Sequence, residues 1–341
     1  MVNRFIKSYI QELVPYSTAR DEFTGLASVY LDANENPYQS VVNRYPDPHQ
    51  RELKKRISEL KGVASESIFL GNGSDEAIDL LVRIVDTTLA GVTITSPTYG
   101  MYKVAAANNG VAVVDAPLNP DFSLDMSALR EASVRGSRLL FLCSPNNPTG
   151  RQYSLQQIKS VLDTFEGIVV VDEAYIDFAQ EVSTVTLLGE YDRLVVLQTF
   201  SKAWGMAGIR LGMAFAARPV IESMSKLKLP YNVSELSQRY ALERLAEPAR
   251  VREEVRTILS ERGRVAQQLL RMKGVGEVFP SQANFLLVRV SEPRRAFEHL
   301  QGKGVIVRDR SREKNCEGCL RITIGMPEEN NAMLNGLREI L

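Results

Sequence analysis

Histidine is almost absent from this sequence, with two among 341 residues, and cysteine is scarce, with three. Three thiols, Cys143, Cys316 and Cys319, do not make a disulfide framework, which points to a reducing compartment and a cytoplasmic location. Cys316-Glu-Gly-Cys319 has C-x-x-C spacing. A zinc site would need a second pair of ligands, and His49 and His299 lie far apart in the chain. Small packed residues near a strand start are the better reading, and no metal is expected. Neither sign of charge is in excess, since 41 Lys plus Arg face 41 Asp plus Glu. That balance argues against a surface built for nucleic acid or an anionic membrane. No apolar run approaches the roughly 20 residues that span a bilayer. Residues 1–10 set charges among their apolar positions and lack a continuous apolar core, so no signal peptide is expected. Repeats, low-complexity tracts and long linkers are also missing.

What is present suits two domains, because 341 residues is long for one core. From about residue 65 to 215, short apolar runs alternate with helical patterns, the texture of an α/β domain with a mostly parallel sheet. The runs are Ile68-Phe-Leu70, Val92-Thr-Ile-Thr95, Val111-Ala-Val-Val114, Leu139-Leu-Phe-Leu142, Ile168-Val-Val-Val171, Leu194-Val-Val-Leu197 and Leu211-Gly-Met-Ala-Phe215. Between them Ile78, Leu81, Val82 and Val85 share one helix face, as do Ile158, Val161, Leu162 and Phe165 after a Ser154-x-x-Gln157 capping box. Beyond Pro230 a charged helical stretch over 234–272 leads to two strand-like runs, 283–288 and 320–324, with a short helix between them and a last helix after. This reads as a smaller α+β domain. The expected division is 35–230 for the large domain and 1–34 with 231–341 for the small one.

Parallel sheets place their ligand crevice at the carboxyl ends of the strands. After Leu194-Val-Val-Leu197 comes Thr199-Phe-Ser-Lys202, with Arg210 shortly beyond. The Lys202 amine can form an imine with a carbonyl, and Thr199, Ser201 and Arg210 can hold an anion attached to it. Gly71-Asn-Gly-Ser-Asp-Glu76 opens a helix, where Gly73, Ser74 and Asp75 either cradle a phosphate or make a plain strand-to-helix turn. Tyr99 can offer its ring to a flat heteroaromatic, and Pro148 fixes the backbone of Asn147 and hence the direction of its amide. Asp172 ends an apolar run, where a carboxylate needs either a cation or a helix to cap. A protonated pyridine nitrogen is such a cation, and Tyr175 can reach that ring's phenolic oxygen. Pyridoxal phosphate would use all of these contacts.

On these residues the chain resembles the fold-type I aminotransferases that depend on pyridoxal 5'-phosphate. The matching stretches are Pro15-Tyr-Ser-Thr-Ala-Arg20, Leu31-Asp-Ala-Asn-Glu-Asn-Pro37, Arg44-Tyr-Pro-Asp-Pro48, Gly71 to Glu76, Ser144-Pro-Asn-Asn-Pro-Thr-Gly150, Val171-Asp-Glu-Ala-Tyr175, Thr199 to Lys202 and Cys319-Leu-Arg-Ile-Thr-Ile-Gly325. Within that family the two ends of the chain are most similar to the histidinol-phosphate aminotransferases. The resemblance implies an imine between the cofactor and Lys202, and a homodimer in which Tyr45 reaches the cofactor phosphate of the partner subunit. It also implies substrate contacts by Tyr16, Asn34, Arg308 and Arg321, with Arg321 on the anionic tail and 2-oxoglutarate as co-substrate. Aromatic amino-acid aminotransferases and threonine-phosphate decarboxylases share the fold and remain alternatives, and a silent sensor module is a remoter one. Cys316 has no place in the resemblance.

Overall fold

The structure is a computed structural model that describes residues 2–23, 25 and 27–341. Seven strands form the large sheet: β1 (Ile68–Asn72), β2 (Val92–Ile94), β3 (Val113–Asp115), β4 (Leu139–Cys143), β5 (Ile168–Asp172), β6 (Leu194–Thr199) and β7 (Leu211–Ala216). Their order is β1-β7-β6-β5-β4-β2-β3. Each overlaps one of the expected apolar runs, β3 by two residues only. Strands β2 to β6 are parallel, whereas β7 runs antiparallel to both β6 and β1.

The continuous apolar runs follow from burial on both faces. Side chains alternate across the sheet: Leu140, Leu142, Val169, Val171, Leu194 and Val196 enter one core. Leu139, Phe141, Ile168, Val170, Val195 and Leu197 enter the other. Helix Leu155–Thr164 covers the first core through Ile158, Val161 and Leu162, and the Ser154–Gln157 capping box closes its start. Helix Ser74–Ile84 covers the second through Ile78, Leu81 and Val82.

The small sheet is antiparallel, in the order β10-β11-β9-β8, and comprises β8 (Val275–Val278), β9 (Phe285–Val290), β10 (Arg308–Asp309) and β11 (Cys319–Thr323). Its two faces have different duties. Leu286, Val288, Val290, Leu320 and Ile322 pack with helices Pro248–Leu269, Pro293–Gly302 and Pro327–Arg338. Phe285, Leu287 and Cys319 point the other way and join a core of the large domain. The same alternation places Arg321 on the side of β11 that Cys319 occupies.

Two expectations change. The charged stretch over 234–272 is two helices, Glu235–Leu245 and Pro248–Leu269, because Pro248 cannot continue a helix but suits the first turn of one. The N-terminal residues, assigned to the small domain from sequence, pack in part on the large one. Val2, Phe5, Ile6 and Ile10 are buried in the core that helices Ser74–Ile84 and Arg218–Leu227 share, and Ile6 bridges Val85. Among the described residues no helix is long and apolar enough to cross a membrane.

Candidate active site

The topology gathers the candidate residues at one edge of the large sheet. Because β7 is antiparallel to β6, the residues that precede it arrive at the same edge as those that follow β1, β2, β4, β5 and β6. Gly73, Ser74, Asp75, Tyr99, Asn147, Asp172, Tyr175, Thr199, Ser201, Lys202 and Arg210 line one cleft, together with Cys143.

One wall is built for an anion. Gly73 has φ +79° and Arg210 φ +53°, and the Gly73 N–H donates to the Arg210 carbonyl at 2.9 Å. A Cβ on Gly73 would stand 2.7 Å from Arg210 Nη2, and one on Gly212 would stand 2.1 Å from the Ser74 nitrogen. Glycine at both positions thus leaves the start of helix Ser74–Ile84 open, and no side chain caps it. The positive helix end, the Arg210 guanidinium and the hydroxyls of Thr199 and Ser201 (3.0 Å apart) face the same space. Arg210 Nη2 meets Asp75 at 3.2 Å, and Tyr99 Oη donates to the other Asp75 oxygen at 3.1 Å.

Opposite lies Asp172, the last residue of β5 and 2% exposed. Its carboxylate accepts from Tyr102 Oη at 2.7 Å and from the Ala174 N–H at 3.1 Å. Burial outweighs both hydrogen bonds and pushes its pKa up to about 6. Tyr102 is fully buried and stacks on Phe141 with ring centroids 4.8 Å apart. Nothing in the sequence reading marked it. The available signal was a second tyrosine one helical turn after Tyr99, at the head of helix Met101–Asn108.

Lys202 stands between these walls. Its Nζ lies 5.8 Å from the centre of the Tyr175 ring and makes no hydrogen bond or ion pair among the described residues. Burial, and then the charge of Arg321, hold its pKa below the usual lysine value. Asn147 Nδ2 donates to Tyr175 Oη at 3.4 Å, and burial raises the Tyr175 phenol well above its ordinary range.

Arg321 comes from the small domain. Its Nη1 donates to Asn147 Oδ1 at 2.5 Å, and its guanidinium lies 5.4 Å from the centre of the Phe285 ring. Arg308 is opposite Arg321 in the ladder and is exposed. Tyr16, Asn34 and Tyr45 do not reach the cleft of their own chain. Tyr16 is 73% exposed beside Pro15, Pro48 and Lys226. Asn34 and Tyr45 line a surface groove in which Tyr45 stacks on Tyr231 at 4.4 Å.

Sequence reasoning also missed Glu173. Its carboxylate is fully buried and accepts from Ser183 Oγ (2.5 Å), Thr184 N (2.6 Å), Thr184 Oγ1 (2.7 Å) and Gln198 Nε2 (2.9 Å). These bonds pin the loop after β5 to β6 directly behind the cleft. Cys316 and Cys319 are free and buried, and burial pushes their thiols up to about 12 and about 11.

A family model described as Aminotransferase class I and II matches residues 22–335. The chain is 49% identical to the histidinol-phosphate aminotransferase of Parabacteroides distasonis over 336 residues, 98% of this chain and 97% of that protein. It is 46% identical to the enzyme of the same name from Cytophaga hutchinsonii, over 99% of this chain and 98% of that one. Among solved structures, histidinol-phosphate aminotransferase from Sinorhizobium meliloti in complex with pyridoxal-5'-phosphate has the same fold. Its TM-score is 0.81 at 23% identity, covering 90% of this chain and 89% of that one. By its sequence, the chain belongs to the class I and II aminotransferases.

Proposed function

We propose that this protein is a histidinol-phosphate aminotransferase that exchanges an amino group between L-histidinol phosphate and 2-oxoglutarate, with pyridoxal 5'-phosphate held in the cleft. The observation that carries the reading is a half-buried Lys202 facing the same cleft as a buried Asp172, neither of which makes an ion pair among the described residues. Near-full-length relatives of that name support the substrate. When bound, the cofactor supplies a carbonyl that takes the amine and a ring that accepts the electron pair released at the substrate carbon.

The remaining work belongs to the protein. Gly73, Ser74, Thr199, Ser201 and Arg210 would hold the cofactor phosphate, and Asp75 fixes Arg210 and Tyr99 in place. Tyr99 would cover the cofactor ring, while Asn147 and Tyr175 would supply hydrogen-bond donors to it. Asp172 would keep a proton on the ring nitrogen by pairing with it as a carboxylate. Lys202 would hold the cofactor through Nζ, and its amine would carry the proton at the substrate carbon, a task its lowered basicity favours. Arg321 and Arg308 bind the anionic tail, since two guanidinium forks suit a dianion. The same pair receives the distal carboxylate of 2-oxoglutarate.

The reading includes a homodimer. Tyr16, Asn34 and Tyr45 lie outside the cleft on an N-terminal segment that also exposes Leu31 (90%) and Tyr38 (83%), a surface that a second copy would cover. In that assembly the three residues serve the partner's cleft. The three free, buried cysteines support a reducing, cytoplasmic setting. Incubation with histidinol phosphate and 2-oxoglutarate should yield glutamate and imidazole acetol phosphate, and borohydride should trap the cofactor on Lys202. Lys202→Ala should lose both outcomes. Carbon dioxide release from threonine phosphate, without glutamate formation, would make the protein a decarboxylase instead.

A further inference from the structure

Three arginines, not two, share the face of the small sheet that looks toward the cleft. Arg308 pairs with Arg321 across β10 and β11. The Arg310 N–H donates to the Cys319 carbonyl at 2.8 Å, which extends the ladder by one residue. Strand alternation then returns Arg310 to the side that Arg308 and Arg321 occupy. That side abuts the large domain, where Cys319 and Leu287 are buried. The cations sense one another, for Arg310 and Arg308 both depress the basicity of Arg321 after its burial does. Arg321 and Arg310 both act on the Tyr175 phenol.

The cluster is short of acceptors. Arg310 has a side chain only 18% exposed and meets one carboxylate, Glu313, through Nη1 at 3.1 Å. Its Nε is buried with no acceptor, as are the Nε of Arg321 and the hydroxyl of the adjoining Ser311. Arg321 has a neutral amide oxygen, that of Asn147, as its hydrogen-bond partner. Three cations and one carboxylate, with orphaned donors among them, leave unmet demand for negative charge.

The loop that carries Arg310 is held still. Successive turns link Glu313 N to Arg310 O (2.9 Å), Cys316 N to Glu313 O (3.0 Å) and Cys319 N to Cys316 O (2.9 Å). Asn315 Nδ2 reaches the carbonyls of Leu118 and Asn119 on the large domain, each at 3.4 Å. Cys316 is buried in the large-domain core. The C-x-x-C spacing therefore supplies small apolar plugs that moor this loop across the domain junction, and the mooring presents Arg310 to the cleft.

We propose that Arg310 is a third anion-binding guanidinium of the substrate site, which exchanges Glu313 for the ligand's tail and so favours a dianionic phosphate over a monocarboxylate. The inference rests on the reading that the substrate carries such a tail. It adds to Arg321 and Arg308 a residue whose resting partner is a built-in competitor. Glu313 keeps the cation neutralised until a stronger anion arrives.

The test uses the holoenzyme and inorganic phosphate as the probe. Arg310→Gln should raise KM for histidinol phosphate roughly 10- to 100-fold, the worth of one charge-assisted pair. It should weaken competitive inhibition by phosphate to a similar extent and change phenylalanine turnover about threefold or less. Arg310→Lys should recover only part, because a point charge lacks the fork. Glu313→Gln should tighten phosphate inhibition several-fold, and this arm stands even if the arginine variants fold poorly. Phosphate inhibition unmoved within twofold by both Arg310→Gln and Glu313→Gln would overturn the proposal. If the wild type ignored histidinol phosphate yet bound phosphate in an Arg310-dependent way, the anion site would stand and the substrate reading would fall.

Discussion

Tyr102→Phe removes one hydroxyl, 2.7 Å from Asp172, and leaves the packed ring against Phe141. Burial already lifts Asp172 to about 6, so the folded, cofactor-free protein retains a proton there that the unfolded chain loses above about pH 4. The stability this group contributes is complete below about pH 4 and is lost as pH climbs through about 6. Cofactor binding has the opposite sign, because only the carboxylate pairs with a protonated ring nitrogen. A hydrogen bond to a charged group is worth about 1.5–3 kcal/mol. At about 1.4 kcal/mol per pKa unit, its loss moves Asp172 up by roughly one to two units, to about 7–8. The assay is cofactor affinity by absorbance titration from pH 5.5 to 8.5. Wild type should weaken below about pH 6 and the variant below about 7–8, so that Tyr102→Phe binds roughly two- to tenfold weaker at pH 7 and nearly normally at pH 8.5. A defect of constant size across that range, or an unmoved midpoint, would refute the role given to Tyr102.

Glu173→Ala should lower Tm by roughly 3–8 °C, since it leaves the buried Thr184 N–H and hydroxyl without their acceptor at about 1–3 kcal/mol each; Glu173→Gln should cost less, and an unchanged Tm for Glu173→Ala would contradict the loop-pinning role. Gly212→Ala places a methyl 2.1 Å from the Ser74 nitrogen and should weaken cofactor retention on gel filtration while the far-ultraviolet spectrum stays native. Cys316 and Cys319, buried and with thiols raised to about 12 and about 11, should resist iodoacetamide at neutral pH until the protein is unfolded, as read by mass spectrometry.

The strands of the large sheet were legible because burial on both faces demands uninterrupted apolar runs such as Ile168-Val-Val-Val171. β8 was not, because Gly276 and Glu277 face solvent, and a two-residue strand such as β10 leaves no pattern at all. Residues at strand ends, from Gly73 to Lys202, were readable since topology alone sends them to one edge. Tyr102 and Glu173 were not, for their partners stand 70 and 25 positions away along the chain, and a tyrosine in a helix has many ordinary uses. Nothing in the sequence singles out Arg310 beside Arg308, and only the ladder register shows which way it faces. Pro248 was likewise read past, and it divides a helical stretch that the charge pattern alone presents as continuous.

Single-turnover titration of the cofactor-loaded enzyme with histidinol phosphate, phenylalanine and threonine phosphate is the most direct test of the proposed activity. Conversion of the cofactor to its amine form should be fastest with histidinol phosphate and absent in Lys202→Ala. Conversion much faster with phenylalanine, or unimpaired without the lysine, would contradict it.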